Sequence, residues 1–164
     1  MKFKNYIIMF ITLMSIWLLL NNSLSSEVVI SGVIVSLVLP LLFCGNCEVF
    51  TTLRLSPKAI IYSFLFLFTF IIELIKANVD VALRVISPKL PINPGIVEVK
   101  TKLESKIARV VLADSITLTP GTFTIELDGD SLFIHCIDVQ STDVVKNTEL
   151  IVEKFEKYLE VMYG

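Results

Sequence analysis

Charge is nearly missing from the first half of this chain, and that limits its possible folds more than any motif does. Up to Ile75 the charged residues are Lys2, Lys4, Glu27, Glu48, Arg54, Lys58 and Glu73; every other one lies beyond. Three apolar stretches fill the same half: Tyr6–Leu20, Val28–Cys44 and a third beginning at Ala59. With 54% hydrophobic residues, the chain exceeds the usual share for a water-soluble domain. The asymmetry predicts a membrane part first and a water-soluble part second. A net charge of −2 gives no basic footprint, which argues against nucleic acid as a partner.

Tyr6–Leu20 falls short of the ~20 residues a full helical span needs. Lys2 and Lys4 ahead of it look like the start of a signal peptide. Ser23-Leu24-Ser25 is a weak cleavage site, however, and two more apolar stretches follow, so an uncleaved membrane segment is expected. Asn21–Glu27 is a polar turn. In Val28–Cys44 the small residues Ser31, Gly32 and Ser36 let another helix come close, and Pro40 is expected to break the helix near its far end.

The third stretch is unbroken apolar sequence to Ile72. Glu73 does not have to stop the helix. Glu73, Lys76, Asp80 and Arg84 recur at spacings of three and four, one stripe of alternating sign. Leu74, Ile75, Val79, Leu83 and Ile86 keep the other face apolar. One long helix is predicted, leaving the hydrocarbon near Glu73 and running along or just beyond the interface. Ser87-Pro88, Pro91 and Pro94 end it. The predicted division is therefore a membrane region over residues 1–86 (apolar segments about 6–20, 28–44 and 59–86, the last with its interfacial extension), a Pro-rich linker over 87–94, and a small domain over 95–164.

In that last part the pattern changes. Val97, Val99, Thr101 and Leu103 alternate with polar residues as in a strand, and Glu104 to about Ser115 has helical spacing. Thr119-Pro120-Gly121-Thr122 suits a type II turn, because Pro fixes one φ and Gly permits a positive one. Phe123, Ile125 and Leu127 then alternate with Thr122, Thr124, Glu126 and Asp128, predicting a strand that buries its apolar face. Asp128-Gly129 fits a two-residue hairpin turn, with Leu132–Ile137 as the return strand. A final helix capped by Ser141 or Thr142 would bury Val144, Thr148, Ile151, Phe155, Tyr158, Leu159 and Met162. Its solvated face would be Glu149, Glu153, Lys154, Glu156, Lys157 and Glu160. The fold class expected is a membrane protein with N-terminal transmembrane helices and a small α+β domain, ordered strand, helix, strand, strand, helix.

Few residues suggest chemistry. Glu73 is the one carboxylate at the edge of the third apolar stretch; it could mark a proton path, but pairing with Lys76 at the helix exit explains it more simply. His135, the only histidine, has no partner at local spacing. Asp128 and Asp130 flank a turn, and the EF-hand spacing is missing. Cys44 and Cys47 form a C-x-x-C pair with neither a second ligand pair nor a redox context. Phosphate-loop, dinucleotide-binding and nucleophile-elbow motifs are all lacking. No catalytic, metal or cofactor site is assigned. The hydroxyls of Ser115, Thr117, Thr119 and Thr122 around Pro120-Gly121 exceed what one turn needs, which predicts a small rigid polar surface that contacts a partner subunit or the membrane-proximal segment of this chain.

Basic residues should mark the cytoplasmic side. Lys2 with Lys4, Arg54 with Lys58, and Lys76, Arg84 and Lys89 all ask for it, and three full crossings cannot satisfy them together. Either the N-terminus lies outside, or the first two segments form a shallow hairpin.

Two blocks carry a family resemblance. SITLTPGT followed by DGDSLFIHCID, and Glu73–Asn78 with Ser87-Pro88 leading to Asn93-Pro94-Gly95-Ile96-Val97, resemble the E subunit of Mrp-type (Mnh, Sha) multisubunit cation/proton antiporters. The resemblance runs over nearly the whole chain. It implies a non-catalytic subunit of a Na+/H+ antiporter in the cell membrane, with a cytoplasmic C-terminal domain. The implied partners are large subunits like those of respiratory complex I, small hydrophobic subunits, and membrane lipid. Thr119, Pro120, Gly121, Thr122, Asp128 and Gly129 are the candidate interface or structural residues, and Glu73 and Lys76 the candidate membrane-edge charges. The alternatives are a free-standing membrane-anchored ligand-binding or sensor domain, and a thiol-active protein using Cys44 and Cys47.

Overall fold

The computed structural model describes residues 3–43, 54 and 56–164. The chain forms two compact units, Met1–Leu53 and Arg54–Gly164.

In the first unit, α1 (Phe3–Asn21) and α2 (Ser26–Phe43) form an antiparallel hairpin. Asn22 turns the corner at φ +45. The Trp17 indole N–H donates to the Val28 carbonyl (3.0 Å), and Tyr6 Oη to that of Leu37 (2.7 Å). A Cβ on Gly32 would lie 2.6 Å from Trp17 Cδ1, so the small residue is what admits the indole. α2 runs through Pro40 to Phe43 instead of breaking there. Cys44 and Cys47 lie outside the described residues.

The second unit begins with α3 (Pro57–Ile86), capped by Ser56, whose hydroxyl accepts from the Ala59 N–H (3.1 Å), with Pro at its first position. It is continuous across Glu73, as predicted, and at ~1.5 Å per residue it is about 45 Å long. Among the described residues it is the one helix long and apolar enough to cross a membrane. β1 (Gly95–Lys100), α4 (Lys106–Leu118), β2 (Thr122–Asp128), β3 (Ser131–Cys136), α5 (Val144–Ile151) and α6 (Glu153–Tyr163) follow. The strands form an antiparallel sheet in the order β1-β3-β2.

One sheet face is covered by helices. Val97, Val99, Leu132, Ile134 and Cys136 meet Ala108, Leu112 and Ile116 of α4, and Val152, Phe155, Leu159 and Met162 of the C-terminal helices; all are buried. α3 then packs on α6 as an outer layer. The boundary between the compact units thus falls between Leu53 and Arg54, whereas the division expected after residue 86 concerned the membrane and not packing. The cause is that α3 packs with the sheet domain.

Four local expectations are corrected. Phe123, Ile125 and Leu127 do not form the buried face of β2; they are 56%, 49% and 38% exposed. Thr122 and Thr124 point to the helix side instead. Thr122 Oγ1 donates to the Ile116 carbonyl (2.7 Å) and Thr124 Oγ1 to that of Ala113 (3.1 Å), and a bulge between Thr124 and Glu126 shifts the register. The hairpin turn is Gly129-Asp130, one residue later than expected, with φ +59 at Gly129. The last helix is two, parted at buried Val152, and its cap is Asp143, which accepts from the Val145 N–H (2.9 Å), not Ser141 or Thr142. Finally, Glu156 is buried, not solvated. Its carboxylate accepts from Thr101 Oγ1 (2.5 Å) and the Lys102 N–H (2.7 Å), donors left without sheet partners where β1 ends.

Candidate functional site

α6 runs antiparallel to the first half of α3, and the contacts come in order. The Arg54 N–H donates to the Met162 carbonyl (2.8 Å). The rings of Tyr62 and Tyr158 are 6.2 Å apart, those of Phe66 and Phe155 6.1 Å, and those of Phe70 and Phe155 6.3 Å. Thr69 Oγ1 donates to Tyr158 Oη (3.0 Å). The series ends at Glu73. Its Oε2 takes Lys154 Nζ at 3.0 Å and its Oε1 takes Lys76 Nζ at 2.8 Å.

Beyond Glu73 the two layers separate around a cleft of about 340 Å³. On one side stand Glu73, Lys76, Asp80 and Arg84 of α3; on the other are the turn Thr119–Thr122, the loop after β3, and Lys154. A second ionic cluster closes its far end. Arg84 bonds Asp80 (2.7 Å) on its own helix, Asp138 (3.0 Å) after β3, and the Pro91 carbonyl (2.6 Å). The predicted stripe therefore exists, and it is turned toward the domain. Its partners Lys154 and Asp138 were missed, because no local spacing links residues so far apart in sequence.

Thr119 and Thr122 sit at the mouth of this cleft, yet their hydroxyls are taken. Thr119 Oγ1 donates to the Ile116 carbonyl (2.7 Å) and lies 3.0 Å from Thr122 Oγ1. Ser115 donates to the Val111 carbonyl, and Thr117 accepts from the Thr124 N–H. Each of the four hydroxyls has a partner within the domain, on α4 itself or on the Thr119–Thr124 stretch that follows it. Gly121 has φ +92, and a Cβ there would sit 3.1 Å from Ile137 Cδ1 and 3.7 Å from Val81 Cγ2 on α3. The turn thus faces α3.

The remaining candidates lie apart. Asp128 is exposed, and the Gly129 carbonyl accepts from Arg109. The ammonium of Lys100, 3.3 Å away, holds the Asp130 carboxyl below its ordinary range. His135 is half-buried on the open sheet face, between Phe123 and Ile96. Cys136 is buried, which pushes its thiol pKa up. Among the described residues no group of three or more His, Cys, Asp or Glu could hold a metal. The cleft's charges pair with one another, so what the arrangement does physically is fasten α3 to the domain.

Comparison with known proteins gives a consistent set. The profile of the family described as "Na+/H+ ion antiporter subunit" matches residues 10–162. A Bacillus subtilis protein, named as the E-type member of the Na(+)/H(+) antiporter subunits, is 38% identical over 146 residues, which is 88% of this chain and 89% of that one. A Staphylococcus aureus protein, named as an E1-type member of the same subunits, is 34% identical over 147 residues, 86% of each. Among solved structures, a chain of the membrane-bound sulfane sulfur reductase, an archaeal respiratory membrane complex, superposes with a TM-score of 0.79. It is 45% identical and covers 95% of this chain and 97% of its own.

Proposed function

The chain belongs to the Na+/H+ ion antiporter subunit family, and on that premise we propose that it is a non-catalytic subunit of a multisubunit cation/proton antiporter in the cell membrane. Its part is to join a membrane-associated region, residues 1–86, to a cytoplasmic α+β domain, residues 95–164, with Ser87–Pro94 as the connection. The carrying observation is the family match over almost the full chain. Self-neutralised charges in the cleft support a structural role: Glu73 has both oxygens occupied by lysines, which suits a fastening better than a proton relay. A similar fold within a respiratory membrane complex supports the same view, since a shared assembly part does not need the chemistry of either machine. The partners are the antiporter's large complex-I-like and small hydrophobic subunits.

A strain lacking this chain tests the proposal. Everted vesicles from it should lose Na+-driven proton release, and the full chain should restore it. Glu73→Gln should restore exchange to within about twofold, a change worth roughly 0.4 kcal/mol. A Glu73→Gln protein that assembles normally yet abolishes exchange would make Glu73 part of the ion path and overturn the non-catalytic assignment. An engineered thiol at exposed Lys157 should resist impermeant reagents added outside cells. Cys136 is unsuitable for that purpose because it is buried.

A further inference from the structure

We infer that α3 does not cross the membrane but lies in the plane of the cytoplasmic interface, with the face opposite α6 set into lipid. The inference rests on the reading of the chain as a membrane subunit. Three independent observations carry it.

The first is the neighbour of the apolar half. α6 lies beside α3 from Arg54 to Glu73, and it carries Glu153, Lys157 and Glu160 exposed at the same level. If Pro57–Leu74 crossed the hydrocarbon, those charges would be carried in with it, alongside Lys154, which is bonded to Glu73. The second is the shape of the exposed surface. Opposite α6, an apolar stripe runs the whole helix: Ile60, Phe64, Phe68, Ile75, Val79 and Ile86 are all exposed, Phe64 to 70% and Ile86 to 78%. The stripe does not end at Glu73, as a crossing that emerged there would require. Lys58 flanks it on one edge, where its ammonium group can reach anionic headgroups, and Lys76, bonded to Glu73 but largely exposed, lies on the same edge five turns on at about 3.6 residues per turn. An amphipathic helix with this division lies along an interface.

The third is the distribution of positive charge. An antiparallel hairpin returns the chain to the side it left, whether or not its tip reaches the far side. With α3 in the plane, Lys2, Lys4, Arg54, Lys58, Lys76, Arg84 and Lys89 all share one side. The conflict that three crossings create disappears.

Spin labels test this on the full chain with Cys44, Cys47 and Cys136 replaced by Ala. One cysteine is placed at Phe64, Phe68, Ile75 or Ile86, all exposed, so that folding is little disturbed. The protein is reconstituted into vesicles of phosphatidylcholine with phosphatidylglycerol, and depth is read from oxygen against nickel-chelate relaxation. The expected result is one shallow depth at all four positions, about 5–10 Å below the headgroups, with a label at Lys157 fully in water. A crossing helix would spread the four over roughly 30 Å at ~1.5 Å per residue, and that would overturn the inference while leaving subunit membership intact. Labels shielded from oxygen and chelate alike would mean that protein, not lipid, covers the stripe, which also overturns it. Labels in water at every position would sink both this inference and the membrane-subunit reading.

Discussion

Phe155→Ala should cost about 3–5 kcal/mol, the range for a fully buried aromatic truncated to a methyl group. The ring is completely buried and closes two interfaces at once. Beneath it lies the sheet core, and above it are Phe66 and Phe70 of α3 at 6.1 and 6.3 Å. The cavity left behind cannot collapse easily, because α3 is held at a fixed height by Thr69–Tyr158 on one side and Glu73–Lys154 on the other. Thermal unfolding of the full chain in mild detergent measures the effect, at roughly 4 °C per kcal/mol for a unit the size of Arg54–Gly164. Both the sheet domain and the α3–α6 contact should fail together, so a cysteine at Tyr62 should become reactive in the same transition. A variant that melts near the wild-type temperature would mean that α3 does not pack on α6 as described.

The second large effect is expected at Gly121. Its φ of +92 lies where L side chains are strained, and a Cβ would come within 3.1 and 3.2 Å of Ile137. Gly121→Val should therefore cost on the order of 1–3 kcal/mol from the backbone alone, and more once Ile137 is displaced. Thr119→Ala at the same turn supplies the comparison. It removes one hydroxyl from a closed set of hydrogen bonds, worth about 1 kcal/mol. Unfolding of the two variants should keep that order, with Gly121→Val the weaker protein; the reverse order would show that the turn relaxes freely and that its hydroxyls hold it.

Legibility in the sequence followed the range of the interactions. The continuity of α3 across Glu73 was readable because i,i+3 and i,i+4 spacing is a local property, and so was the Gly121 turn. The facing of β2 was not. Alternation identifies two faces without saying which one is buried, and here the threonines turned inward to serve carbonyls of α4. Glu156 was assigned to water by its type, although the unmatched Lys102 N–H and Thr101 hydroxyl supply it with donors inside. The cleft was beyond reach altogether. It is bounded by the Lys154–Glu73 and Asp138–Arg84 pairs, and each joins α3 to residues far along the chain.

If this chain is one part of a larger membrane machine, other subunits should accompany it in mild detergent. An affinity tag after Gly164, expression at the native level and gentle solubilisation are sufficient. The expected result is elution together with large multi-span proteins in a fixed ratio, persisting through a sizing column and lost in Phe155→Ala. A small, homogeneous, folded species carrying the whole of the tagged chain would contradict it and return the chain to a free-standing membrane-anchored domain.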